Sequence, residues 1–431
     1  MKIPSVKGFH DVLPDESARW TWIEQQAREL FARYNFTEIR IPIVERTELF
    51  SRSIGETTDI VEKEMYTFTD RDGSSLTLRP EGTASIVRAY VEHALQQREA
   101  VSKLFYLGPM FRRERPQKGR LRQFSQIGVE VIGRDDAAID AEVLLLLHDL
   151  LVALEIRGAR IELNSLGDAV CRPGYRAALQ AFGEAHRDGL CENCNRRLER
   201  NPLRLLDCKD PGCRATTAAA PVMLDHLCDP CRAHFDAVRA ALAREGVEAR
   251  LNPRMVRGLD YYVRTAFEVV AEGLGAQNAV GGGGRYDGLV KELGGADTPG
   301  IGFALGVERL VLAIKEHGAA RVLPPEVFLA PLGAVAETEA MHLAHRWRRD
   351  GVRVEMTSGG RSLKSQMRLA DKVAAPYVLI LGEDELAARA LTVRDMAAKC
   401  DFPRAIALSV AAAGLRETLA HLRQQSMERR A

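Results

Sequence analysis

The sequence predicts an α+β fold: an antiparallel sheet with helices, interrupted by a helical insertion and followed by a small α/β domain. Three observations carry this reading. Strand-like segments follow one another, with few helices between them, up to residue 167 and again after 247, which argues an antiparallel sheet. The stretch between them, 168–246, is helical and Arg-rich in texture and holds seven of the eight cysteines. After Pro324-Pro325, strand and helix patterns alternate with short loops, as in an α/β domain. The expected domains are 1–167 with 247–322, the insertion 168–246, and 326–425.

The elements follow in chain order. Ser17 to Tyr34 has the apolar spacing of an amphipathic helix. In Asn35 to Glu45, NFTEIRIPIVE, Phe36 is followed by Ile39, Ile41 and Ile43, alternating with Glu38, Arg40 and Pro42. That is a period-two strand, and Pro42 places it at an edge or at a contact with another chain. Further strands are expected at Leu76–Arg79, Leu104–Leu107, Met110–Glu114 and Phe124–Ile132, and a Leu-rich helix at Asp140–Leu154. Sheet texture returns at Met255–Ala271 and Gly300–Leu305. The last domain reads as strands Val327–Ala330, Val352–Met356 and Tyr377–Leu381, with helices Ala336–Asp350 and Ser362–Lys372.

Composition narrows the classes. With 46% apolar and 28% charged residues in 431, the chain is no disordered polymer. No run approaches the ~18 apolar residues of a membrane span, and the N-terminus lacks the apolar core of a signal peptide. Cytoplasmic residence is therefore expected, and the cysteines read as thiols or metal ligands rather than disulfides. Sixty basic against 59 acidic residues exclude a general polycation but leave room for a local basic patch.

Several segments can carry chemistry. Phe111 to Gln126, FRRERPQKGRLRQFSQ, sets six basic residues and one acid between Arg112 and Arg122, punctuated by Pro116 and Gly119. Guanidinium forks beside a loop suit phosphate; a solvated charged hairpin is the alternative. In the strand that follows, Ile127, Val129 and Val131 point one way, and Gln126, Gly128 and Glu130 the other. An amide, a gap and a carboxylate on one face suit the floor of a polar pocket, or an ordinary solvent face. RGLDYYVRTAFE, Arg257 to Glu268, offers two tyrosines between Asp260 and Arg264. GGGGRYDGL, from Gly281, allows close backbone approach to a ligand but is neither a P-loop nor a dinucleotide fingerprint. In GIGFALGVERL, Gly300, Gly302, Ala304 and Gly306 form a strand face almost without side chains. A flat ring such as adenine could lie there under Arg309; close sheet packing is the other reading. Cys191-x-x-Cys194 and Cys228-x-x-Cys231 have the knuckle spacing of structural zinc, with Cys208 and Cys213 competing as ligands. Reduced thiols without metal remain the alternative.

Together these motifs resemble the histidyl-tRNA synthetase family of class II aminoacyl-tRNA synthetases over nearly the whole chain. GFHDVLPDE at Gly8 looks like the family's N-terminal signature, and the strand with Pro42 like motif 1, which implies a homodimer contact. FRRERPQKGRLRQF looks like motif 2 and GIGFALGVERL like motif 3. RGLDYYVRTAFE and GGGRYDGL look like the two histidine-specific motifs, and GGRSLKSQMRLADK, from Gly359, like the anticodon-binding domain. The resemblance implies a class II antiparallel sheet, the substrates L-histidine, ATP with Mg²⁺ and tRNA(His), and no membrane partner. It implies that Arg112, Arg120 and Arg309 hold ATP, with Arg112, Arg309 and Arg257 catalytic and Arg257 beside the α-phosphate. Glu81, Thr83 and Gln126 would position histidine, Glu130 would read its imidazole, and Tyr261, Tyr262 and Tyr286 would line the side-chain pocket. Gln117, Arg361, Lys364 and Arg368 would contact tRNA. Ser125 stands where the family often has a bulkier residue, and many members lack the cysteines. A histidine-binding regulatory paralogue is disfavoured by the intact RGLDYY and the last domain, and a kinase-linked tRNA sensor by the absence of kinase motifs.

Overall fold

The computed structural model describes residues 3–55, 58, 60–156, 158–256, 259, 261–274, 278–314 and 323–428. The chain forms two compact units, Met1–Arg321 and Val322–Ala431.

The first unit is built on an eight-stranded sheet. Its order is Thr37–Glu38, Ser102–Phe111, Gln123–Ile132, Gly300–Gly306, Ala279–Arg285, Val263–Val270, Arg160–Ser165 and Ala249–Leu251. The six inner strands pair antiparallel, and the two short edge strands pair parallel. One face of the sheet is apolar. Phe105, Ile127, Val129, Val131, Phe267 and Phe303 pack there against the helices Pro14–Arg33 and Ala137–Ala153. The first helix buries Ile23, Ala27, Leu30 and Phe31, one stripe at helical spacing. The second starts at Asp136, whose carboxylate accepts the Ile139 N–H at 3.1 Å, an ordinary N-cap. The opposite face carries a second apolar cluster, in which Leu104, Tyr106 and Ile132 meet Ile86, Val87 and Tyr90, and beside it the polar side chains of the site.

The expected strand Asn35–Glu45 is not one strand. Thr37–Glu38 joins the edge of the large sheet, while Val44–Arg46 joins a three-stranded sheet with Ser75–Leu78 and Tyr66–Thr69. Between them Arg79 Nη1 donates to the Ile41 and Pro42 carbonyls at 2.6 and 3.1 Å, so a buried side chain replaces the ladder across Pro42. Leu104–Leu107 and Met110–Glu114 are, conversely, one strand, Ser102–Phe111. Pro109 is tolerated there because the neighbouring edge strand reaches only Phe105, so no N–H is needed on that side. The glycine run is itself a strand, Ala279–Arg285. A Cβ on Gly281 or Gly283 would stand 2.3 or 2.0 Å from a carbonyl of the adjoining strand, so those glycines serve sheet packing.

The insertion is four helices, Arg172–Ala185, Glu192–Arg200, Pro211–Thr216 and Asp229–Arg244, with 3-10 turns between. The last helix packs Phe235, Val238 and Leu242 into the main core. Two small apolar clusters serve the rest.

The second unit is a five-stranded sheet. Val354–Met356, Val327–Pro331 and Tyr377–Leu381 run parallel, and Ala390–Asp395 and Cys400–Ala407 add an antiparallel hairpin that the sequence reading did not anticipate. Helices Ala334–Arg349, Leu363–Lys372 and Ala412–Glu428 accompany it.

Candidate active site

A cavity of about 280 Å³ opens on the polar face of the large sheet. Its floor is the strand Gln123–Ile132, whose alternation puts Gln126, Gly128 and Glu130 opposite the core-facing Ile127, Val129 and Val131. Glu130 is 1% exposed. It accepts the Thr83 hydroxyl at 2.7 Å and the Tyr286 hydroxyl at 2.6 Å. Burial pushes its carboxyl up to about 8, and nearby Glu81 adds to the rise, while the two hydroxyl donors oppose it.

Glu81 is also buried, at 3%. It accepts the backbone N–H groups of Thr83 and Ala84 at 2.7 and 2.9 Å, where helix Thr83–Glu92 begins. Burial raises its carboxyl too; those N–H groups and the Arg112 charge act against it. Among the described residues neither carboxylate forms an ion pair. Two buried acids on one cavity, without a counter-ion, are an electrostatic debt that a cationic or proton-donating ligand would relieve.

Tyrosines enclose this end. Tyr261, Tyr262 and Tyr286 are buried, and Tyr261 lies edge-on to Tyr286 with ring centroids 6.0 Å apart. Sequence reasoning missed a fourth, Tyr106. Its ring fits between Gly82 and Gly128, where an added Cβ would come within 2.4 and 2.5 Å of it. Its hydroxyl and the Gln126 Oε1 are buried without a hydrogen-bond partner among the described residues. The missed signal was the pair of glycines, whose lack of Cβ leaves the slot for the ring. A second missed group lies beneath. Arg285, fully buried, donates to Asp140 at 2.8 Å, to Asp287 at 2.6 Å and to the Arg134 carbonyl at 2.9 Å. His234 Nε2 lies 2.7 Å from the other Asp140 oxygen. This network fixes the residue next to Tyr286, and so its aim at Glu130.

The other end of the cavity is basic. Arg112 donates to the Pro80 carbonyl at 2.8 Å and lies over the Phe124 ring at 5.2 Å. Arg309 begins the helix Val307–Ala313, is largely buried and donates to the Ala279 carbonyl. Burial and the neighbouring Arg120 charge both lower its basicity. Arg120 itself pairs with Glu114 at 3.2 Å. Cationic groups crowded in a partly buried cleft favour an anion. Glu308 also lines the cavity. It accepts the Ser125 N–H at 2.9 Å, and burial lifts its carboxyl to about 7.

Two expectations need correction. Half of the bare strand face is already covered. A Cβ on Gly300 would strike Tyr286 at 2.2 Å, and one on Gly302 would strike Glu130 at 2.0 Å. Those glycines make room for the pocket's own side chains, and Ala304 and Gly306, beside Arg309, line the cavity further along the strand. The cysteines Cys191, Cys194, Cys228 and Cys231 do not form one set. Cys191 and Cys194 converge with Cys208 and Cys213; Cys228 and Cys231 converge with Cys171 and Asp168. Each group has four donor atoms within 4.8 Å of one another and could hold a metal ion. The two knuckles lie on different helices, so spacing alone could not pair them.

Other expected residues are placed as follows. Gln117 and Arg120 close a tight turn in the basic loop through mutual backbone bonds of 3.0 and 2.9 Å. Arg361, Lys364 and Arg368 are exposed in the second unit, the last two on one face of helix Leu363–Lys372. Arg257 lies outside the described residues. Among the described residues no helix is long and apolar enough to cross a membrane.

Known proteins match this build. The family model described as histidyl-tRNA synthetase matches residues 8–310, and that described as anticodon binding domain matches 326–417. The histidine–tRNA ligase of Trichlorobacter lovleyi is 55% identical over 397 residues, 92% of this chain and 94% of that protein. The solved apo histidyl-tRNA synthetase of S. aureus superposes with a TM-score of 0.78 at 36% identity, covering 93% of this chain and 96% of that one. A structure titled ATP phosphoribosyltransferase regulatory subunit/histidyl-tRNA synthetase from Bacillus halodurans C, at 20% identity and a TM-score of 0.64 over 89% of this chain and 99% of that one, shares the fold. Sheet, cavity and matches together define an aminoacyl-tRNA ligase with its anticodon-binding domain. The chain belongs to the histidyl-tRNA synthetase family, whose reaction activates histidine and charges tRNA.

Proposed function

We propose that the carboxylate end of the cavity binds L-histidine and the arginine end binds ATP with Mg²⁺. The observation that carries this is the pair of buried acids, Glu81 and Glu130, facing one cavity without an ion-pair partner among the described residues. Histidine brings two nitrogen-bearing groups. Glu81 and Thr83 take the α-ammonium, and Glu130 takes the imidazole. A Glu130 carboxyl that is largely protonated when empty can hand its proton to the incoming imidazole, which turns a buried neutral acid into a buried ion pair. The slot between Tyr106, Tyr261, Tyr262 and Tyr286 fixes the ring, and Gln126 positions the substrate.

The histidine carboxylate oxygen then attacks the ATP α-phosphorus, the bond to the bridging β-oxygen breaks, and pyrophosphate leaves. Negative charge grows on phosphate oxygens, and Arg112, Arg120 and Arg309, held in place before reaction, stabilise it. Adenine rests against Ala304 and Gly306 under Arg309. Mg²⁺ would neutralise phosphate charge, and Glu114 and Glu268 on the cavity wall would offer it oxygen ligands. In the second step the terminal ribose hydroxyl of tRNA(His) attacks the adenylate carbonyl, and AMP leaves. Gln117 in the basic loop, and Arg361, Lys364 and Arg368 in the second unit, contact that tRNA. Arg257 stands beside the α-phosphate on the strength of the resemblance.

Histidine-dependent ATP–pyrophosphate exchange tests this reading. Histidine methyl ester, which keeps both nitrogen groups but lacks the nucleophile, should inhibit competitively, and imidazolepropionic acid, without the ammonium, should bind far more weakly. Equal inhibition by the two would contradict a carboxylate that reads the ammonium. In the same assay Arg257→Ala should lose turnover; a rise in the histidine KM alone would remove its catalytic role.

The reading includes a cytoplasmic homodimer. The homodimer's support is the split strand around Pro42 at the sheet edge and the exposed Ile43, Val44 and Phe68 beside it.

A further inference from the structure

We propose that the insertion carries two separate structural zinc ions, one held by Cys191, Cys194, Cys208 and Cys213 and the other by Asp168, Cys171, Cys228 and Cys231. In each group the four ligand atoms lie within 4.8 Å of one another. A tetrahedral zinc with bonds of about 2.3 Å to sulfur holds its ligands roughly 3.8 Å apart, so both groups need only small adjustments. The Cys171 and Cys228 sulfurs stand 3.3 Å apart, and those of Cys191 and Cys208 3.9 Å.

The two groups share a design. Cys191 is the N-cap residue of Glu192–Arg200, with Cys194 in its first turn; Cys228 is the N-cap residue of Asp229–Arg244, with Cys231 in its first turn. The helix N-terminus favours thiolate over thiol. The Cys191 N–H points to the Cys213 sulfur at 2.9 Å, and the Cys228 N–H to the Cys171 sulfur at 3.1 Å. Such N–H groups stabilise a metal-bound thiolate. In each group two ligands are buried and two are half-buried, as in a closed structural site.

The insertion also needs a staple. One of its apolar clusters comprises Leu190, Cys194, Leu198, Leu205 and Cys213, and the other is built round Cys171, Tyr175, Leu179, Met223 and Cys231. Clusters this small do not hold short helices and 3-10 turns by burial alone. Each bound zinc displaces the thiol protons of its cysteines to solvent and leaves a site of net charge −2. Arg264, whose Nη2 lies 4.0 Å from Asp168 Oδ2, offsets part of it at the second site.

The second site also adjoins the pocket. Arg172, next to Cys171, donates to the Leu166 carbonyl at 3.2 Å and to the Tyr262 carbonyl. Leu166 and Gly167 are bonded to the Arg264 backbone at 2.7 and 2.8 Å. The ion at Asp168 therefore positions the wall that carries Tyr262, whereas the four-cysteine ion does not.

The test is the metal content of the full chain, purified under reductant without chelator. Two zinc ions per chain are expected, one in Cys213→Ser, one in Cys231→Ser and none in the double variant. The histidine KM should rise several-fold in Cys231→Ser and stay unchanged in Cys213→Ser. Should either variant fail to fold, cobalt substitution of the wild-type chain decides. Two equivalents with thiolate-to-cobalt charge-transfer bands are expected. Zinc-free or iron-containing protein, a single ion lost to both variants, cobalt saturation at one equivalent, or disulfides in the intact mass would each overturn the proposal.

Discussion

Glu130 concentrates the chemistry of the pocket in one carboxyl group. Its folded value of about 8 stands above the ordinary value of 4.5, so between those values the folded chain holds a proton that the unfolded chain has released. Stability must then fall as pH rises from about 5 to about 8 and level off above. The contribution is on the order of a few kcal/mol. Glu130→Gln keeps an acceptor for one of the Thr83 and Tyr286 hydroxyls, offers the other an N–H to accept, and removes the titration. Urea unfolding at several pH values should show the variant gaining on the ligand-free wild type across that window; parallel pH profiles would contradict the assignment. Glu130 and Gln126 were legible because a strand's period of two separates a polar face from an apolar one. Tyr106 was not, since its place depends on Gly128 of the adjoining strand and Gly82 at the start of helix Thr83–Glu92 both closing on its ring. Arg285 and Asp140 lie 145 positions apart, and only folding pairs them.

Elements with a clean period were read nearly to their ends. Helix Leu363–Lys372 was expected from Ser362, whose hydroxyl accepts the Ser365 N–H as an N-cap. The segment Asn35–Glu45 failed because its alternation continues through Pro42, while a side chain from elsewhere, Arg79, takes over the carbonyls there. The glycine strand failed for the opposite reason: glycine carries no periodicity at all, and its neighbours across the sheet supply the reason for it. On the helix, Gln366 faces inward and donates to the Pro331 carbonyl at 2.7 Å, which leaves Lys364, Arg368 and Lys372 on the outer face. If that stripe meets the tRNA backbone, Lys364→Gln with Arg368→Gln should flatten the slope of log affinity against log salt by about two. An unchanged slope in a filter-binding titration would make the stripe an ordinary solvated face.

At the scale of the molecule, the chain is a catalytic sheet with a cysteine-rich insertion, and a second unit matching an anticodon-binding domain. Charge balance says little about this: residues 326–431 hold 16 Lys and Arg against 13 Asp and Glu, a surplus too small to mark a nucleic-acid binder. The motifs spoke where the totals did not. If the exposed Ile43, Val44 and Phe68 belong to the homodimer contact proposed above, light scattering at micromolar concentration should give twice the chain mass of 47.7 kDa; a single-chain mass would contradict the homodimer. The central claim is that the buried acid on the sheet floor selects histidine. It is tested most directly by ATP–pyrophosphate exchange with each of the twenty amino acids, for the wild type and Glu130→Gln. The wild type should respond to histidine alone, and the variant should lose at least about 100-fold in kcat/KM for histidine with the ATP KM little changed. A variant that activates histidine as well as the wild type does would contradict the account.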